Sequence, residues 1–336
     1  MTDSVNPFQI HVPEDVLNDL LARIKNTRWP GEITDSDWDY GSNLGYVKEL
    51  CDYWVESFSW RDQEDRLNKL PQFTTNVSGL NIHFIHEKGV GPDPIPLLIT
   101  HGWPSTFAEM VDIIPLLTDP GTYGADPSDS FDVIVPSIPG YGFSQKPTDP
   151  GMNVEKIAQL WDNLMIQNLG YDGFVAQGGD WGAGITTALG ANHGDHVQAI
   201  HLTMSSTGMN IPDTAELSDQ EKEFISHRNW WQENEGSYGH QHRTKPQTLA
   251  YGLTDSPSGL ASWIVEKWRA WSDCNGDIES RFTKDQLLTH ITIYWVTRTI
   301  ESSIRLYYET AKSGPVVDYG DKVEVPTSFA SFPVEI

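Results

Sequence analysis

Cysteine is almost missing from this chain: Cys51 and Cys274 are the two in 336 residues. That excludes a disulfide framework and a thiolate metal cluster, and it points to a reducing compartment. Basic residues are scarce as well. Only 22 Lys and Arg stand against 47 Asp and Glu, a net charge of −25, which excludes nucleic acid and anionic membranes as partners. No window approaches about 18 uninterrupted apolar residues, so no membrane span is expected. The opening Met-Thr-Asp-Ser-Val-Asn-Pro-Phe has neither a basic nor an apolar signal region. No internal repeat is visible. The pairs His240-x-His242 and His193-x-x-His196 each lack a third ligand, so they read as solvated histidines rather than metal sites. What remains is a soluble, cytoplasmic protein, long enough for one large α/β domain with insertions or for two domains.

Glycine is not scarce, and it gathers at one place. Residues 173–184 run Gly-Phe-Val-Ala-Gln-Gly-Gly-Asp-Trp-Gly-Ala-Gly. Phe174 to Gln177 suits a short buried strand, and Ile185 to Leu189 can continue as a helix. Strand, sharp turn and helix with small residues around the central one form the pattern of a nucleophile elbow. The central residue, Asp180, is then forced into a strained backbone conformation. A carboxylate is already ionised at neutral pH and can attack without a base. It suits an sp³ carbon with a strained or good leaving group, giving an alkyl-enzyme ester that a base-activated water must cleave. A dinucleotide fingerprint counted from Gly178 would need glycine at 180 and 183, where the chain has Asp180 and Ala183.

Around that turn the chain reads as a mostly parallel sheet with helices on both faces. Residues 1–70 form a helical prelude, with helices at Val16–Ile24 and Gly45–Phe58, expected to wrap a larger domain. Phe73–Val77 and Leu80–His86 signal a hairpin, and Pro96–Thr100 is an apolar strand. Helix is expected at Phe107–Leu117, strand at Phe131–Pro136, and helix at Asn153–Leu169 with Asn153 as N-cap. A strand at Val197–Leu202 follows. From about 204 to 313, tryptophans punctuate helices with no strand between them, as in a helical insertion over the sheet's active edge. Strand character returns at Lys322–Thr327. The organisation is therefore a meander (1–70), a core (71–203), a lid (204–313) and a return to the core (314–336).

Several motifs now stand in order: His101-Gly102-Trp103-Pro104, Gly178-Gly179-Asp180-Trp181-Gly182, Asp255-Ser256-Pro257, Thr289-His290-Ile291-Thr292-Ile293-Tyr294-Trp295, Thr299-Ile300 with Ser302-Ser303, and Phe332-Pro333-x-Glu335. Together they resemble the microsomal-type epoxide hydrolases, enzymes of the α/β-hydrolase fold with an N-terminal meander and a helical lid. The resemblance covers nearly the whole chain from Phe8. It implies hydrolysis of an epoxide to a vicinal diol, with a small-molecule epoxide and water as partners, no cofactor, and a role in epoxide detoxification. A homodimer is left open. It assigns Asp180 as nucleophile and His101, Gly102, Trp103 and Pro104 as the oxyanion loop. The backbone N–H groups of Trp103 and Trp181 would face the developing charge. Tyr238 and Tyr307 match the lid acids, with Tyr308 one slip away, and His101 is assigned the shaping of its loop. Glu335 matches the acid that orients a catalytic histidine.

One departure stands out. The order of this fold is nucleophile, acid, histidine, yet only Ile336 follows Glu335 and all 11 histidines precede it. The chain is read as truncated before the catalytic histidine, which puts turnover by these 336 residues in doubt. The alternatives are a haloalkane dehalogenase, which would want halide-binding Trp or Asn donors instead of two lid tyrosines, and a non-catalytic relative of the same fold.

Overall fold

The computed structural model of the protein describes residues 4–204, 211–212, 215–318 and 320–332. Among them the sheet has eight strands: β1 (Asn6–Phe8), β2 (Gln72–Val77), β3 (Leu80–Glu87), β4 (Ile95–Thr100), β5 (Phe131–Pro136), β6 (Phe174–Gly178), β7 (Val197–Leu202) and β8 (Thr327–Phe329). Their order is β1-β2-β3-β5-β4-β6-β7-β8. The first three strands are antiparallel, whereas β5, β4, β6, β7 and β8 are parallel. The chain leaves β4 for β5 on one side and later returns to β6 on the other. The crevice at the carboxyl ends of β4 and β6 is therefore a topological switch point, where ligands of open α/β sheets bind.

The expected prelude is helical, but not wholly so. Helices α1 (Glu14–Lys25), α2 (Leu44–Glu56) and α3 (Trp60–Leu67) follow β1, which adds an antiparallel edge to β2. Leu17, Leu20 and Ile24 form the buried stripe of α1, at the three-to-four-residue spacing a helix requires. Neither β1 nor α3 was legible in the sequence, being only three and eight residues long. The helix expected over 107–117 is broken into a 3₁₀ turn (Phe107–Met110) and α4 (Ile114–Thr118). Pro115 explains the break, since it lacks an N–H and fits only a first helical turn. Helix α5 (Val154–Asn163) begins where expected, with the Asn153 side chain accepting from the Lys156 N–H, and ends in a π turn over Leu164–Asn168.

After α6 (Trp181–Asn192) and β7, the segment reaching β8 has helices and no strand among its described residues. It holds α7 (Asp219–Asn234), α8 (Ser237–Thr244), α9 (Pro246–Asp255), α10 (Pro257–Ala270), α11 (Lys284–Thr297), α12 (Ile300–Ser303) and α13 (Arg305–Thr310). Capping punctuates it: Ser218 and Glu221 form a capping box for α7, Thr283 and Gln286 one for α11. The Asp255-Ser256-Pro257 motif is likewise a helix start, with Ser256 accepting from the Gly259 N–H at 3.0 Å. The last strand lies later than expected. Residues 322–326 are not strand, and pairing with β7 begins where the Pro326 carbonyl accepts from the Ile200 N–H at 2.9 Å. No described helix is long and apolar enough to cross a membrane.

Candidate functional site

Parallel pairing of β4 with β6 sets Thr100 opposite Gly178. The residues that follow each strand, 101–104 and 179–181, are therefore neighbours at the switch point. Asp180 sits at φ 50°, ψ −126°, a backbone conformation that costs a residue with a Cβ about 1–3 kcal/mol. The strain turns its carboxylate out of the sheet towards the 101–104 loop. The Trp103 N–H donates to Asp180 Oδ1 at 2.6 Å. Gly102 permits this approach, because a Cβ there would lie 2.3 Å from the same oxygen. Trp181 is the first residue of α6. Its N–H is thus among those a helix leaves without an internal partner, at the end where the helix dipole favours negative charge.

His101 acts on the loop and not on a ligand. It is buried, its Nδ1 lies 3.0 Å from the Gly102 carbonyl, and its Nε2 accepts from the Ile138 N–H at 3.2 Å. This pairing defines one neutral tautomer, and burial pushes its pKa down to about 4. Pro104 follows through a cis peptide bond. Across the crevice, the Tyr294 hydroxyl donates to the Ser105 carbonyl at 2.8 Å, and Ser302 Oγ to the Gly140 carbonyl at 2.5 Å. The hydroxyl of Tyr141 donates to the Ser303 carbonyl at 3.1 Å. The motifs 289–295 and 299–303 therefore anchor the helical insertion onto core loops.

That anchoring brings Tyr238 of α8 and Tyr307 of α13 together above Asp180. Their ring centroids are 5.9 Å apart at 82°. Tyr238 stacks on Trp103 at 5.4 Å and 8°, and Tyr307 meets Trp181 edge to face at 4.6 Å and 88°. Burial raises the pKa of both phenols; the Asp180 charge adds to it for each, and the Tyr238 phenol does so for Tyr307. Both are therefore protonated donors at neutral pH. The Tyr307 hydroxyl is buried without a partner of hydrogen-bonding geometry, although it lies near enough to Tyr238 for the two phenols to perturb each other. Tyr308 points elsewhere, under the Lys312 ammonium at 3.8 Å. Glu335 lies outside the described residues.

One histidine expectation needs correction. His242 is not solvated: it is fully buried, with its ring 4.7 Å from Tyr307, 5.4 Å from Tyr238 and 4.8 Å from Trp103. The Trp263 indole N–H donates to its Nε2 at 3.3 Å, and its Nδ1 has no partner. Burial, aided by the charge of Lys267, pushes its pKa down to about 3. His193 and His196 converge on the buried Asp162, with Nδ1 atoms at 3.5 Å and 2.8 Å from its carboxylate. Sequence reasoning also passed over Lys267. A signal existed: Trp263, Lys267 and Trp271 are spaced by four, which lines up one helix face. No described group of three or more His, Cys, Asp or Glu could hold a metal ion.

A strained elbow at the switch point, a facing loop and a helical insertion inside the sheet's connections define an α/β-hydrolase. Comparison with known proteins carries this further. Residues 5–110 match the family model of the epoxide hydrolase N terminus, and residues 95–257 that of the α/β-hydrolase fold. The chain is 38% identical to epoxide hydrolase 1 of Sus scrofa, over 99% of this chain and 79% of that protein. The crystal structure of the juvenile hormone epoxide hydrolase from the silkworm Bombyx mori superposes with a TM-score of 0.84 at 32% identity, covering 99% of this chain and 82% of that one. The Aspergillus niger epoxide hydrolase gives 0.84 at 30%, with 99% and 84% covered. The chain belongs to the microsomal-type epoxide hydrolase family. Its enzyme class is therefore hydrolase, and the dehalogenase alternative gives way.

Proposed function

We propose that Asp180 opens the epoxide as a nucleophile while Tyr238 and Tyr307 donate to the departing oxygen. A bond forms between an Asp180 carboxylate oxygen and an epoxide carbon, the carbon–oxygen bond of the ring breaks, and the new alkoxide takes a phenolic proton. The observation that carries this reading is the convergence of two protonated phenols with one carboxylate across Trp103 and Trp181. The Trp103 and Trp181 N–H groups would then stabilise the oxyanion when the ester is attacked by water. We read α7 to α13 as the lid over that chemistry.

Hydrolysis of the ester needs a base with a pKa near the working pH. The buried histidines around the crevice do not supply it: His101, His242 and His290 are pushed down to about 4, 3 and 3. His290 is also held by Thr106 Oγ1 at 2.9 Å. The pair of Glu335 and a following histidine implied by the family would supply that step. Ring opening by an ionised carboxylate needs no base, so an ester on Asp180 is expected to form ahead of that step. Incubation with styrene oxide followed by intact-protein and peptide mass spectrometry should show one added epoxide mass on Asp180, absent in Asp180→Ala. An adduct on another residue would overturn the assignment of the nucleophile. Sustained release of diol that is lost on replacing His101, His242 or His290 would overturn the exclusion of that histidine.

A further inference from the structure

Lys267 is a cation inside the helical insertion, only 7% exposed. An aliphatic side chain of similar length would fill this place without the desolvation that a buried charge costs. Its surroundings are specific. The ammonium pairs with the neighbouring Glu266 carboxylate and lies over three rings, 5.1 Å from Tyr238, 5.8 Å from Trp263 and 5.9 Å from Trp271. Tyr238 is itself stacked on Trp103, whose N–H holds Asp180. Carboxylate, indole, phenol and ammonium thus form one contiguous series. The charge is felt beyond its own helix, since it contributes, after burial, to keeping His242 neutral.

We infer that Lys267 is a positioning residue for ring opening, acting through the ring of Tyr238. A cation over an aromatic face is attracted by the ring's quadrupole. As the epoxide oxygen gains charge, the phenol shares its proton and electron density moves onto the ring. The attraction then grows, so the contact is stronger in the transition state than in the resting complex and acts on rate more than on binding. Seated there, the ammonium also holds the ring in the orientation that faces Asp180. The inference rests on the reading of Tyr238 as a proton donor.

A double-mutant cycle on the full chain separates the two. Ester formation from styrene oxide is timed by rapid quench and intact mass in the wild type, Lys267→Met, Tyr238→Phe and the double variant. Lys267→Met should slow the step by about 10-fold at unchanged half-saturation. It should add nothing in the Tyr238→Phe background, where the ring remains but the proton is gone. Lys267→Arg, which keeps the charge, should stay within about threefold of wild type. If Lys267→Met is insoluble, Lys267→Gln is compared with Lys267→Arg in the same two backgrounds. A neutral variant at the wild-type rate, with Tyr238→Phe slow, overturns the role of Lys267 alone. Equal losses in both backgrounds mean mere packing, and also overturn it. Tyr238→Phe at the wild-type rate overturns the donor reading and this inference with it.

Discussion

The two sides of the crevice around Asp180 are built from different materials. On the sheet side, backbone does the holding: a strained turn, an N–H from Trp103 and glycines where a Cβ has no room. On the insertion side, rings do it. Tyr238, Tyr307, His242 and Trp271 pack within 4.7 to 5.9 Å of one another where they pair, and His242 Nδ1 and Trp271 Nε1 are buried without partners. Buried polar atoms left unpaired cost about 1–3 kcal/mol each. Both sides keep such atoms, since the indole N–H groups of Trp103 and Trp181 on the sheet side are also buried without partners, so the two sides differ in what sets position and not in how fully they are paired. On the sheet side a strained backbone sets where the carboxylate lies, and on the insertion side packed rings set where the phenols lie.

The sharpest way to break this comparison is one glycine. A Cβ on Gly182 would sit 1.9 Å from the Thr100 carbonyl oxygen, so Gly182→Ala should cost on the order of 3–5 kcal/mol or prevent folding. Urea unfolding reads the loss, and a wild-type midpoint would mean the elbow is softer than its packing implies. On the ring side, Tyr238→Phe or Tyr307→Phe should leave that midpoint nearly alone. Each should instead slow ester formation by roughly 10²–10⁴, the usual contribution of a general acid, and the pair together should abolish it. A single-turnover rate equal to wild type in the double variant would remove the tyrosines from the chemistry.

Acid should act on both sides at once. His83 and His101 in the core are pushed down to about 3 and 4, and His242 and His290 in the insertion to about 3. Burial is the first cause in each case, because it disfavours the charged ring. The unfolded chain therefore takes up protons first. The stability these groups contribute is whole above the ordinary value of 6.5 and is lost as pH falls from there towards 4 and 3. Each should withdraw about 2 kcal/mol by pH 5. Urea midpoints by far-ultraviolet circular dichroism and by tryptophan fluorescence should fall together. Separation of the two signals would show that the insertion opens by itself. The smallest effect has the opposite sign to the first. Gly252 lies in α9 with nothing within 4 Å of where its Cβ would be, so Gly252→Ala should stabilise by about 0.5–1 kcal/mol. A loss there would mean the insertion is packed as tightly as the elbow.

Much of the sheet side was legible because its signals are local. Alternation of apolar runs with helical spacing marks β4, β5, β6 and β7, and four glycines around one carboxylate mark the elbow. The failures share a cause in context. Asn6-Pro7-Phe8 becomes β1 only because β2 offers an edge, with Pro7 opposite Phe73. The last strand moved to Thr327–Phe329 because Val323 and Val325 instead pack beside Gly190, leaving Pro326 to start the pairing. The reading of His242 as solvated failed because its burial depends on Trp103 and Tyr307, which lie 139 and 65 positions away in the chain.

By itself, then, the sequence determined the α/β class, the elbow with its carboxylate and the loop that faces it. These follow from steric rules acting over a few residues, where glycine, proline and apolar spacing leave the backbone little choice. The resemblance had named Tyr238 and Tyr307; only the tertiary structure decided that Tyr307 and not Tyr308 turns inward, and that a lysine is buried against Tyr238. Those facts depend on how α8, α10 and α13 dock across the crevice. Docking is set by the summed packing of distant side chains, which no local stretch of sequence contains.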